Sequence, residues 1–417
     1  MPALWKRQIK SKWFTSTTTG IAFAFSLSGC AIQVARTQAL NPVGQQSAAT
    51  ASASVISAHA SARMDHTCAL IADGSLRCWG SNSAGENGTG NTAPVLKPTV
   101  VNGLGDAIGV GAGSQHTCAI RIGGSVSCWG DNSHGQLGNG SFVSSFSPVA
   151  VSGLDGTASD RKATALAAGL NHTCALLGDR TVRCWGEGSH GQLGNGATAT
   201  SSVPVAVSGL SMVVSVASGT YSSCVTLSVS PWLMCWGDNA YGQLGDGTTV
   251  NRSTPVTVPG LGGVPRAVAM GADFACSALD RMPWFICWGS NGRGQFGNGN
   301  VTSSANPVTA AGSWYASSVS LAAGDQFICA RQSTGRVDCW GDNTYGQIGD
   351  GHASGGYVST PARVDGPTNA IHITAGSAHA CAILADGSMR CWGNNNEGQL
   401  GNGQTSASTS PLGVDLR

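Results

Sequence analysis

The sequence predicts an all-β chain: a seven-bladed β-propeller of four-stranded antiparallel blades, with one intra-blade disulfide per blade. Three observations predict it. The triplet Cys-Trp-Gly occurs seven times, at Cys78, Cys128, Cys184, Cys235, Cys287, Cys339 and Cys391, at intervals of 50, 56, 51, 52, 52 and 52 residues. A second cysteine stands ten or eleven residues before each: Cys68, Cys118, Cys174, Cys224, Cys276, Cys329 and Cys381. Glycine is abundant, at 60 of 417 residues, and it has no collagen period but sits between short apolar runs, where it marks tight turns. A repeat of about 50 residues makes one large closed domain of a length that otherwise suggests two or three.

In chain order, residues 1–30 read as an export signal. Lys6, Arg7, Lys10 and Lys12 form its positive end, and the apolar stretch from Gly20 to Ser28 is too short to span a bilayer as a mature helix. It closes on Leu27-Ser28-Gly29-Cys30, which resembles the lipobox of bacterial lipoproteins, in which the cysteine is lipidated and becomes the new N-terminus. The competing reading is an ordinary secretory signal cleaved a few residues later. Ala31, rather than aspartate, follows the cysteine, so the lipoprotein resemblance implies an outer-membrane or cell-surface location. Residues 31–54, rich in Ala, Ser, Thr and Gln, read as a flexible tether, and 55–417 as the propeller. The whole chain has net charge +1 and no basic block. Loss of the signal leaves 18 Lys and Arg against 21 Asp and Glu, a net of −3, which argues against nucleic acid as a partner.

Fifteen cysteines make seven pairs and leave Cys30, the residue the lipobox uses. In an exported chain such pairs form a disulfide framework. Between Cys68 and Cys78, Asp73-Gly74 separates two apolar runs, a hairpin signal. A three-residue turn with Gly74 in the left-handed region sets the two cysteines directly opposite, close enough to bond. The pairs are then Cys68–Cys78, Cys118–Cys128, Cys174–Cys184, Cys224–Cys235, Cys276–Cys287, Cys329–Cys339 and Cys381–Cys391. Each is worth about 2–3 kcal/mol on the entropic account. At Cys224–Cys235 and Cys276–Cys287 the spacing is eleven, and a different turn or a bulge must absorb the extra residue. Metal binding by the thiols and reduced core cysteines are the alternatives; the first lacks the short Cys-x-x-Cys spacing of zinc sites.

Each repeat reads as four strands, exemplified by Ala165 to Gly169, His172 to Leu177, Thr181 to Gly186 and, after a polar loop, Pro204 to Val207. Cys68, Leu70, Leu76 and Cys78 should share one face, and Ala69 and Trp79 the other. Both faces are apolar, as expected of a sheet covered on both sides.

The pattern His-Thr-Cys-Ala, Cys-Trp-Gly-Asp-Asn and Gly-Gln-Leu-Gly-Asn-Gly, complete at His116–Ala119, Cys128–Asn132 and Gly135–Gly140, resembles the regulator of chromosome condensation repeat over about residues 55–417. The resemblance implies a seven-bladed propeller that works through protein–protein contacts, often with one blade completed by strands from both chain ends. The family's eukaryotic nuclear exchange factor acts on a small GTPase and chromatin, a setting an exported disulfide-bearing chain departs from. A secreted bacterial member that inhibits β-lactamases is nearer in setting.

Residues repeated in every blade read as builders of the ring. Asn132, Asn239, Asn291, Asn343 and Asn395 and Gln136, Gln192, Gln243, Gln295, Gln347 and Gln399 are expected to hydrogen-bond within loops. Blade one departs, with Glu86-Asn87-Gly88. His66, His116, His172 and His379 share one repeat position on separate blades, an arrangement ill-suited to one metal ion. No nucleophile elbow, phosphate loop or His-Glu-x-x-His motif is present, and no catalytic residue or cofactor is assigned.

Residues that break the repeat carry the functional reading. Three tryptophans lie outside the signal and the triplets: Trp232 and Trp284, in hairpins between second and third strands, and Trp314, with Tyr315, in the link from blade five to blade six. In a meander these connections share one end of the ring, so they form a candidate binding face; the alternative is that the rings cover hairpin ends. The insertion Asp155–Lys162 falls on the same end. The leading expectation is a monomeric, non-catalytic, surface-anchored interaction or scaffold propeller, contacting the membrane only through its lipid. The alternatives are an inhibitor of a periplasmic or secreted enzyme, a carbohydrate-binding propeller, and an enzyme acting on polysaccharide or peptide.

Overall fold

The computed structural model describes residues 60–71, 74–310, 318–352 and 355–416. The signal, Cys30 and the tether lie outside them. The described chain is seven four-stranded antiparallel sheets, each a meander of four consecutive strands. Blade 1 contains β1 (Ala60–Arg63), β2 (His66–Leu70), β3 (Leu76–Gly80) and β4 (Val95–Val100). Blades 2 to 7 cover residues 107–150, 163–206, 213–257, 265–309, 318–363 and 370–413. The first strand of every blade lines the axis, where a space of about 210 Å³ is walled by small and aliphatic residues from all seven blades, among them Ala62, Ala112, Ala168, Ala269 and Ala375.

The expected cysteine pairs lie directly opposite one another in the second-to-third-strand ladders and are disulfide-bonded in every blade, with Cα atoms 4.0–4.1 Å apart. In ten-residue spacings a three-residue turn closes the hairpin: in blade 3, Leu177 N–H donates to Thr181 O at 2.9 Å. The left-handed position of that turn is Gly74 (φ +86) in blade 1 but Arg180 (φ +65) in blade 3. In the two eleven-residue cases the turn, not a bulge, takes up the extra residue. Leu227 N–H donates to Trp232 O and Leu279 N–H to Trp284 O, both at 2.9 Å, and each four-residue connection contains a cis X-Pro bond, Ser230-Pro231 or Met282-Pro283.

The outer strands differ from the sequence reading. The fourth strand of blade 3 runs Ser201–Ala206, so its proline lies inside the strand instead of starting it. Every blade repeats this, with Pro98, Pro148, Pro204, Pro255, Pro307, Pro361 and Pro411 within the outer strand. An edge strand has one row of N–H groups with no ladder to feed, so proline costs nothing there and blocks pairing with another chain.

Both blade faces are buried, as the alternation requires. Cys68, Leu70, Leu76 and Cys78 pack against Ala119 and Trp129 of blade 2, while Ala69 and Trp79 pack against Cys381, Ile383 and Met389 of blade 7. The expected exchange of strands between chain ends is not found: blades 1 and 7 each use four consecutive strands. Side chains and the C-terminal tail close that seam instead. Leu416 is buried in the cluster around Trp79, and Arg77 Nη1 donates to Leu416 O at 3.1 Å. The tail can do this because Val414 and Leu416 continue from their outer strand as Val101 and Leu104 do after β4.

Candidate binding face

The repeated polar residues are ring builders. Asn132 Nδ2 donates to Ser141 O and Val143 O, and its Oδ1 accepts from Leu137 N at 2.9 Å; Asn239, Asn291 and Asn395 repeat the pattern. Gln136 Oε1 accepts from His134 N, and its Nε2 donates to Asp131. In blade 1 the polarity reverses: Ser81 donates to Glu86 Oε1 at 2.7 Å, and Glu86 Oε2 accepts from Ala84 N. The departure at Glu86 is thus compensated at Ser81.

The backbone carbonyl at this glutamine position joins the blades. Each triplet tryptophan donates its indole N–H to that carbonyl on the preceding blade at 2.7–3.0 Å, from Trp129 to Glu86 O round to Trp79 on Gln399 O. The glycine two residues after it lies so close to that indole that a Cβ would collide; at Gly401 it would stand 2.6 Å from Trp79 Nε1.

The histidines form a second set of blade-to-blade contacts. His66 Nε2 meets Thr117 Oγ1, His116 meets Thr173, His172 meets Ser223 and His379 meets Thr67, at 2.8–2.9 Å. Thr67 and Thr117 donate their single proton to Gln399 O and Glu86 O, so His379 and His66 donate from Nε2. Burial, then the neighbouring His66, pushes His379 down to about 3; burial also lowers His66. Where a blade has Ser222, Phe274 or Phe327 in the histidine's place, the next blade carries Ala275, Ile328 or Ala380 in place of the hydroxyl. Among the described residues no group of three or more His, Cys, Asp or Glu is placed to hold a metal ion.

At the end of the ring opposite the hairpins lies a set of carboxylates, Asp65, Asp273 and Asp325 in turns between first and second strands and Asp238 and Glu397 in loops after third strands. Asp65 is raised by burial and then by Glu397 and Asp325, and Asp273 by burial and then by Asp238 and Asp325. Among the described residues none of these carboxylates has a base within ion-pair distance.

Of the residues proposed for binding, Trp314 and Tyr315 lie outside the described residues. Trp232 and Trp284 are both half-buried: Trp232 packs on the cluster between blades 4 and 5, and Trp284 on the one between blades 5 and 6. Each therefore covers a hairpin end while leaving part of itself at the surface. Trp232 also lines an open groove of about 500 Å³ between blades 4 and 5, with Pro231, Thr257, the link 260–264 and Arg281. The insertion packs on this same end: Ala163 N–H donates to Gly124 O in the blade-2 hairpin, and Gly178 N–H in blade 3 to Lys162 O. Sequence reasoning passed over Arg281, Met282 (69% exposed) and the link glycines, although they stand beside the non-repeating tryptophans. It also missed an exposed apolar group on the blade-2 outer rim, Phe142, Val143 and Phe146.

The regulator of chromosome condensation (RCC1) repeat model matches residues 73–120, 123–176, 181–226, 233–278 and 334–383. The chain belongs to this repeat family. Its relatives include the human E3 ubiquitin-protein ligase HERC2, 32% identical over 259 residues, which are 60% of this chain and 5% of HERC2. The ultraviolet-B receptor UVR8 of Arabidopsis thaliana is 29% identical over 250 residues, 59% of this chain and 57% of UVR8. This chain thus spans well under two thirds of either relative. In fold it is similar to Prp20p of Saccharomyces cerevisiae, with TM-score 0.71 and 21% identity, covering 85% of this chain and 86% of that one. Human WBSCR16 is also similar, with TM-score 0.70, 22% identity and coverage of 81% and 93%.

Proposed function

We propose that this chain is a non-catalytic protein-interaction propeller, exported and anchored to a membrane through lipidated Cys30. The observation that carries the interaction reading is that features breaking the repeat gather on one end of the ring: two lengthened hairpins with Trp232 and Trp284, the insertion after blade 2, and an open groove between them. Family relatives support it, since the Prp20p structure is described with binding to Gsp1p and histones, and yeast RCC1 also with Kap60. The nuclear partners themselves are not carried over. The paired cysteines and the Leu27-Ser28-Gly29-Cys30 segment support export and anchoring.

Proximity labelling with the intact chain in its own cell tests the interaction, and replacement of Trp232, Trp284 and Trp314 by alanine should remove the labelled protein partners. Trp232 and Trp284 also cover core clusters, so phenylalanine variants, which keep most of that packing, serve as controls for folding. Labelling that is unchanged in the alanine variant sinks the proposed face. For the anchor, an alkyne fatty acid should label the wild type and not Cys30→Ala, which should leave the membrane fraction. Equal labelling of both would remove the lipoprotein reading.

A further inference from the structure

The groove between blades 4 and 5 is built from departures from the repeat. Both adjoining hairpins carry the extra residue and a Pro-Trp pair, Pro231-Trp232 and Pro283-Trp284. Between them runs the link from blade 4 to blade 5, with Gly260, Gly262 and Gly263. Gly260 repeats Gly103, Gly153 and Gly209 of the earlier links, with a positive φ (+69) and open space around it, whereas Gly262 and Gly263 are required by space. A Cβ at Gly263 would stand 2.9 Å from Arg281 Cγ, and one at Gly262 (φ +73) 3.0 Å from Pro283 Cδ. The floor is therefore bare backbone. Val258 N is held by Leu233 O and Val264 N by Asp280 Oδ1, but among the described residues no group accepts from the N–H groups of Gly260, Leu261, Gly262 and Gly263. One wall is apolar, formed by Trp232 and Pro231. The other carries Arg281, its side chain 64% exposed and held at 3.1 Å by Asp280, whose carboxylate is itself tied to the link. Among the described residues that line the groove, Arg281 is the one that carries a charge, so the lining itself is positive.

We propose that this groove binds an extended acidic peptide segment of a partner protein, with an apolar side chain against Trp232 and a carboxylate on Arg281. This rests on the protein-interaction reading and names the surface and the chemistry that serve it. The link's unbonded main-chain N–H groups offer donors to the carbonyls of a peptide, and the wall at Trp232 offers a place for one of its side chains. The volume falls within the ~300–1,000 Å³ of ligand pockets. Arg281 on the wall selects against basic segments.

The test is a phage-displayed heptapeptide library panned on the immobilised, oxidised full chain, with selected peptides resynthesised carrying fluorescein and titrated by anisotropy. Selected peptides should place Asp or Glu beside a bulky apolar residue. Affinity should fall at least tenfold in Arg281→Glu and in Trp232→Ala, and stay unchanged in Phe142→Ser on the outer rim. Panning on Arg281→Glu should select Lys or Arg at the acidic position. Arg281 is exposed, so its replacement reads binding without loss of fold. No enrichment, or selected peptides that bind Arg281→Glu and wild type alike, overturns the groove assignment. Trp232-dependent binding of oligogalacturonate without peptide selection replaces it with an acidic glycan site. If proximity labelling still depends on the tryptophans but is indifferent to Arg281→Glu, the interaction reading stands and only the groove fails.

Discussion

Replacing Thr67 by alanine removes the hydroxyl that stands between His379 Nε2, at 2.8 Å, and Gln399 O, at 3.1 Å, where blade 7 meets blade 1. Gln399 O keeps the indole N–H of Trp79 at 2.9 Å, so the loss falls on the imidazole, whose N–H is left buried without its acceptor. An orphaned buried donor costs about 1–3 kcal/mol and the missing methyl roughly 1 more, so Thr67→Ala should destabilise by about 2–4 kcal/mol. The seam between blades 6 and 7 shows the apolar alternative, with Phe327 and Ala380 at the two positions. Gly376 makes room for His379 as Gly324 does for Phe327; a Cβ at either would lie 2.0–2.1 Å from the ring. The double variant His379→Phe/Thr67→Ala should therefore recover most of the loss, giving a coupling of about 1–3 kcal/mol in a double-mutant cycle of guanidinium unfolding. Its pH dependence should change as well. In the unfolded chain the imidazole charges below about 6.5, whereas in the fold it stays neutral down to about 3. The unfolded state thus binds the extra proton, and stability complete above pH 6.5 is lost as pH falls toward 3, by several kcal/mol from this group alone. The double variant should lose about one proton's worth of that slope. Single effects that add to within about 0.5 kcal/mol, with an unchanged acid slope, would refute the pairing as the coupling element.

Further expectations follow from the turns, the tail and the disulfides. Arg180 holds φ +65 where other three-residue hairpins use glycine, so Arg180→Gly should raise stability by about 1 kcal/mol, read as a higher melting temperature; a fall would mean its side chain contributes more than its backbone costs. Leu416→Ala should cost about 2–4 kcal/mol and speed amide exchange in blades 1 and 7 before other blades, whereas uniform acceleration would deny the tail a local closing role. All fourteen paired cysteines are at most 1% exposed, so dithiothreitol alone should release few thiols, and dithiothreitol with denaturant fourteen; rapid release under native conditions would show that the blades open singly. Ser81→Asp with Glu86→Gln should be near neutral where either change alone destabilises, as compared by denaturant midpoint, because the pair copies Asp131 and Gln136.

Much of the ring is written locally. The seven triplets, the cysteine ten or eleven residues before each and the two-sided apolar alternation determine blade number, disulfide pairing and which side chains lie between blades. These contacts fall within one hairpin or one period of a strand, and sequence spacing reports such contacts directly. The strand starts drifted where a proline resembled a boundary but sits on an edge that needs no N–H, as at Pro204.

What joins one blade to the next depended on the tertiary structure. Trp79 reaches Gln399 and His379 reaches Thr67 across more than 300 residues, and their pairing depends on which loop the closed ring lays over which indole. Closure through Leu416 in place of exchanged strands, the half-burial of Trp232 and Trp284, and a groove walled by two hairpins and floored by a glycine link have the same origin. The sequence marked these residues as breaks in a repeat. Only when adjacent blades are set side by side do those breaks meet on one surface, because contacts between blades obey the geometry of the ring and leave no period in the chain.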